Sequence, residues 1–355
     1  MPPVNTTPRA RSADDAFAIE NNLARHALAS GDRNAAWVRL NHLAGRFMDP
    51  ETQREKDSLF ISTSLELANL SFVLGKGFSD LTHILQHAGS SAQKMGDRRS
   101  LALIRLHLGR LFYFAEQREQ AMAMFAEGKA GAEALGDEDI LMQAAEFIGL
   151  YYFIQGRFRE AITYFEQAAQ SFESEKHDRV INPSGPLWLS YCAAFLGQFH
   201  RAIGTLDYYR RLAVEGADRS LATTLRAALG IILLGIRKNR EAHFHLSGAY
   251  QEASSTQNAL AGYFATGGLA FHHYMEGRLA DSLEWFQKNA EAGEASGLIR
   301  QYASPIVIEA LFELHRHGLY FSPDLNYRTE FERIMREPNV HLRGVALRLK
   351  ATDAM

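Results

Sequence analysis

Apolar residues recur at intervals of three and four through most of the chain, as in Ala161, Phe165 and Ala168, which is the period of an amphipathic helix. No sustained alternation of two appears, nor an Asn-Gly or Asp-Gly hairpin turn, so the pattern predicts helices and no strands. Proline is absent between Glu51 and Asn182 and again between Leu187 and Ser304, which suits long helices joined by Gly- and Asp-based turns. The class read from the pattern is all-α.

The helical pattern repeats. Small residues at one position of every second helix, Ala121, Ala161, Ala202, Ala242 and Ser282, fall 40, 41, 40 and 40 residues apart. A second ladder of turn residues, Asp97, Asp137, Asp178 and Asp218, steps by 40, 41 and 40. Two ladders in phase predict stacked helix pairs, with first helices near 15–30, 56–74, 99–115, 138–155, 186–196, 219–235, 259–276 and 301–317. The one irregular junction is His177–Pro186, a candidate bend.

Within one period, Ile148-Gly149, Tyr152, Gly156, Ala161, Phe165 and Ala168 resemble the signature of the tetratricopeptide repeat. The same frame runs through Leu108-Gly109, Phe112, Ala121 and Phe125, and through Leu229-Gly230, Leu233, Ala242 and Leu246. The lengthened period and turns such as Leu135-Gly136-Asp137 are similar to the repeat arms of large bacterial signalling regulators. The resemblance implies a right-handed α-α superhelix of seven to eight pairs over residues 14–318. Residues 1–13 read as a disordered tail, and residues 319–355 as helices that cap the array or lead to a further domain.

In that family the first helix of each pair lines the concave face. Carried over position by position, the inward residues are Leu103, His107, Arg110 and Phe114, then Glu146, Leu150 and Phe153. Trp188, Tyr191 and Phe195 follow in the fifth pair, and Phe264, Phe271 and Tyr274 in the seventh. Aromatic residues dominate this set, a composition suited to gripping an apolar peptide or helix, although about half are expected to pack inside the array. His107 and Arg110 together suit an acidic group, and Arg105 is expected to face solvent. The Lys, Asn and Arg clamp of chaperone-binding members is missing from this frame.

Composition narrows the chemistry. The chain has 355 residues, 38 basic and 41 acidic, and a net charge of −3, which argues against nucleic-acid binding. One cysteine, Cys192, allows no intramolecular disulfide and fits a reducing cytoplasm. Residues 253–275 lack Asp, Glu, Lys and Arg but carry too many polar groups for a membrane span, so they read as buried helix. Phosphate-loop, zinc-protease, nucleophile-elbow and Cys-x-x-Cys motifs are all missing, so no catalytic residue and no cofactor are expected. His83 and His87 stand four apart on one helical face but lack a third ligand. His272-His273 and His315/His317 are expected to diverge, and no metal site is expected.

The reading is therefore a non-catalytic cytoplasmic interaction module that binds a protein or peptide in an aromatic concave groove. The alternative is the sensory or regulatory arm of a larger bacterial transcription or signalling regulator; a small-molecule enzyme ranks below both. At the C-terminus, Ser322-Pro323-Asp324 and Pro338-Asn339 each start a helix. The second carries the stripe Leu342, Val345, Ala346 and Leu349, which must cover the end of the array or mediate self-association.

Overall fold

The structure, a computed structural model, describes residues 13–48, 56–74, 77–173, 184–216, 218–296, 305–319 and 325–353 together with Pro323. The described residues form seventeen helices and no strand. Seven antiparallel pairs come first: α1 (Ala13–Ala29) with α2 (Arg33–Phe47), α3 (Asp57–Leu74) with α4 (Phe78–Met95), and α5 (Arg98–Phe114) with α6 (Arg118–Leu135). Next are α7 (Glu138–Ile154) with α8 (Phe158–Glu173), and α9 (Ser184–Phe195) with α10 (Phe199–Glu215). The last pairs are α11 (Arg219–Gly235) with α12 (Asn239–Thr256), and α13 (Ala259–Met275) with α14 (Leu279–Ser296). The helices α15 (Ile306–Arg316), α16 (Tyr327–Arg336) and α17 (Val340–Asp353) complete the chain. The architecture is a right-handed tetratricopeptide-like solenoid. Residues 1–12 of the proposed tail and most of the His177–Pro186 junction lie outside the described residues, while Ala13, assigned to that tail, already begins α1.

Each sequence ladder has a local cause. Asp97, Asp137 and Asp218 cap the N-termini of α5, α7 and α11, accepting from the backbone N–H of Ser100, Asp139 and Leu221 at 3.0 Å. Asn258 continues the series 40 residues on, capping α13 through Ala261 N–H at 2.9 Å. It also breaks the uncharged stretch 253–275 into two helices. Among the described residues, no helix is long and apolar enough to cross a membrane. The Leu135-Gly136-Asp137 turn divides its labour: Leu135 ends α6, Gly136 takes φ +62°, and Asp137 starts α7. The small-residue ladder, Ala121 to Ser282, is fully buried where paired helices approach. Gly149 faces Phe165 so closely that a Cβ would sit 2.6 Å from the ring.

The array does not run on as an open rod. At its first turn, Arg33 pairs with Asp218 and the Asn34 amide donates to the Thr256 carbonyl at 3.0 Å, joining the first repeat to the sixth. The C-terminal helices also reach back. Arg333 pairs with Glu116, the Asn339 amide donates to the Tyr113 hydroxyl at 3.1 Å, and the His341 ring lies 4.3 Å from that of Phe195. Beyond closing onto the third to fifth repeats, α15–α17 share a second apolar core with α13 and α14 through Ala270, Phe286, Phe312, Ile334, Leu342 and Ala346. The predicted stripe faces that core. The start of α16 differs from the sequence reading: Asn326, not Ser322-Pro323-Asp324, caps it, exchanging hydrogen bonds with Thr329 in a capping box.

Candidate functional site

The thirteen residues assigned to the concave groove divide sharply by accessibility. Leu103, His107, Arg110, Phe114, Glu146, Leu150, Phe153, Trp188, Tyr191 and Phe264 are buried. Most of them sit where successive first helices touch, and tight superhelical stacking takes that face out of solvent. Arg110 does meet an acidic group, but an internal one: its guanidinium donates to Glu146 Oε1 at 2.8 Å, with the two side chains 1% and 9% exposed. It lies 3.6 Å from the Phe72 ring centroid and 4.6 Å from that of Phe147, so it bridges α3, α5 and α7. Burial and the neighbouring Arg110 charge hold His107 well below the usual imidazole range, so it is neutral. Arg105 is half-buried and pairs with Glu127 at 3.3 Å.

Phe195, Phe271 and Tyr274 remain half-buried. Phe195 packs in a cluster with Phe158 and His341, its ring centroid 5.3 and 4.3 Å from theirs, so the C-terminal segment covers it. Phe271 and Tyr274 instead line a cleft of about 660 Å³ bounded by α13, α15 and α17. Their rings stack 6.0 Å apart, and Phe312 from α15 adds a third aromatic wall. Phe312 lies 41 residues after Phe271, one repeat on. Extending the ladder through the eighth first helix is the signal that finds it.

The cleft rim carries both signs of charge. Arg348 of α17 donates to Glu309 at 3.0 Å, and Arg316 lies 3.8 Å from Glu313. Burial raises the Glu309 carboxyl above its ordinary range, against the pull of Arg348. Burial, then the adjacent Glu313 carboxylate with its hydrogen bond, also raises the Tyr274 hydroxyl. Arg237, exposed at the end of the sixth repeat's first helix, makes no ion pair among the described residues and points a cation to the cleft. Apolar walls with paired charges at the mouth can hold the side chains of an extended or helical segment and fix its direction.

Cys192 is fully buried, and burial pushes its thiol far up, so it stays protonated in the core. His83 and His87 are exposed on α4 with ring centroids 4.6 Å apart.

No protein-family model matches the chain, and no curated protein matches it by sequence. Among solved structures it is similar to a Rap protein complexed with competence and sporulation factor: TM-score 0.60, 13% identity, 96% of this chain and 99% of that one. The apo form of RapI aligns with TM-score 0.43 at 13% identity over 91% and 85% of the two chains. The TPR2AB domain of yeast Sti1 with pHSP90 aligns with TM-score 0.28 at 12% identity over 79% and 100%. At these identities the first likeness is one of fold.

Proposed function

We propose that the chain is an interaction module that captures a peptide or helical segment of a partner in the cleft between its seventh and eighth repeats. The observation that carries this reading is the half-buried aromatic pair Phe271 and Tyr274, backed by the buried Phe312 ring, in a cleft of about 660 Å³. The occupant it suits has an apolar or aromatic anchor beside an acidic group, the anchor against the rings and the acid toward Arg237. The Rap protein that shares this fold was solved with a bound factor, which supports a binding role for such a superhelix. The cleft's carboxylates are tied to partners, Glu309 to Arg348 and Glu313 to Tyr274 and Arg316, an arrangement that favours holding a ligand over transforming one.

Selection from a random peptide library on the full chain tests the reading. The enriched peptides should share an aromatic or aliphatic residue near an acid, and Phe271→Ala with Tyr274→Ala should abolish enrichment while helicity by circular dichroism is kept. Enrichment that survives this double substitution in a folded protein places the binding surface elsewhere.

A further inference from the structure

Three histidines converge beside the cleft, on the opposite side of the C-terminal turn of α13. His272 and His273 are consecutive on that turn, and Glu276 follows within the next turn; His243 comes from α12 of the preceding repeat. The ring centroids are 4.9 Å apart for His243 and His272, 5.3 Å for His272 and His273, and 6.2 Å for His243 and His273. One ligand atom from each of His272, His273 and Glu276 lies within 4.8 Å of the others. The expectation that neighbouring helical positions diverge therefore fails here: the two rings lean toward a common point at the helix end, where Glu276 and His243 close in.

Metal–nitrogen bonds of about 2.0–2.1 Å in tetrahedral geometry place imidazole centroids roughly 5 Å apart and ligand atoms roughly 3.3 Å apart. The His243–His272 and His272–His273 spacings match the first figure, His243–His273 is about 1 Å wider, and side-chain rotation that closes the ligand atoms by up to about 1.5 Å reaches the second. A further observation points to a ligand. The Nδ1 atoms of His272 and His273 are buried without a hydrogen-bond partner, in side chains only 3% and 5% exposed as residues. The Glu276 carboxylate stands 3.4 Å from His272 Nε2 and 3.6 Å from Arg278, which has Asp281 as a second partner at 2.6 Å and can release it.

We propose that His243, His272, His273 and Glu276 form a binding site for a divalent transition-metal ion of the zinc class at the junction of the sixth and seventh repeats. Three imidazoles and a carboxylate are the donor set such borderline ions prefer, and Mg²⁺ or Ca²⁺ would ask for oxygen ligands instead. The ion ties α12 to the end of α13, one residue from Tyr274 and within a turn of Phe271, so the metal sets the position of the cleft's aromatic wall.

The test is titration of the full chain with Zn²⁺ against a chromophoric chelator, with Co²⁺ absorption reporting the coordination geometry. One equivalent is expected to bind, with a tetrahedral Co²⁺ spectrum. His243→Asn and Glu276→Gln change exposed side chains that carry no core packing, and each is expected to weaken binding at least about tenfold, the lower end of what even outer-shell losses cost. His83→Asn with His87→Asn, the exposed pair on α4, should leave affinity unchanged. Absence of stoichiometric binding, binding unaffected by H243N combined with E276Q, or binding lost only with the α4 pair would each overturn the proposal.

Discussion

Arg110 on α5 and Glu146 on α7 meet at 2.8 Å with almost no access to water, and the guanidinium is packed between the rings of Phe72 and Phe147. The pair links the second, third and fourth repeats at positions that a solenoid of this type would otherwise offer to a ligand. An ion pair so deep gains from its geometry and loses from desolvation, so its net contribution is small while the cost of breaking it is large.

Glu146→Leu alone should therefore destabilise the protein by about 3–5 kcal/mol, because it strands a buried guanidinium. Glu146→Leu combined with Arg110→Met should recover most of that loss. Urea unfolding of the single and double variants checks both, and a double variant no more stable than the single one contradicts this account.

Two glycine substitutions should have opposite signs. Gly149→Ala drives a Cβ to 2.6 Å from the Phe165 ring and should cost about 1–3 kcal/mol through overpacking. Gly204 lies mid-helix on α10, exposed, with nothing within 4 Å of an added Cβ. Gly204→Ala should stabilise by about 0.5–1 kcal/mol through helix propensity. Thermal midpoints of the two variants moving the same way would count against the packing argument.

The joint between the C-terminal helices and the third repeat is proton-sensitive. Glu337 is buried beside Arg333, Glu330 and Glu116; burial chiefly, and then the neighbouring carboxylates, push its carboxyl up to about 8 against the pull of Arg333. One of its oxygens has no hydrogen-bond partner, which suits the protonated form. The folded value lies above the ordinary 4.5, so the folded protein holds the extra proton between about pH 4.5 and 8. Stability should fall as pH rises through that window, and Glu337→Gln should flatten the dependence. The wild-type midpoint minus that of Glu337→Gln, measured from pH 5 to 9, decides it, because the buried histidines contribute equally to both; a difference that rises over this range has the wrong sign.

Deleting residues 339–355 removes the Asn339–Tyr113 hydrogen bond and the Leu342, Ala346 and Leu349 face of the second core. The truncated chain should melt earlier and bind the dye ANS, because the end of a solenoid needs a cover. An unchanged midpoint with no dye binding would show that α17 contributes nothing to the fold.

The sequence by itself determined whatever is decided within one or two turns of helix. Helix class, the near 40-residue period and most first-helix boundaries were legible because Asp97, Asp137 and Asp218 cap their own helices and Gly149 meets Phe165 within one pair. These are short-range constraints, and they recur in register. The fate of the inner face was not legible, because it depends on how much each repeat rotates against the next, a quantity no single repeat encodes. Superhelical closure paired Arg33 with Asp218 across 185 residues and Asn339 with Tyr113 across 226, burying Leu103 and Trp188 and leaving Phe271 and Tyr274 at an open cleft. The same summed rotation brought His243 against His272 and His273. Local periodicity chose which residues point inward, and only the accumulated geometry of the stacked repeats decided which of those still meet solvent.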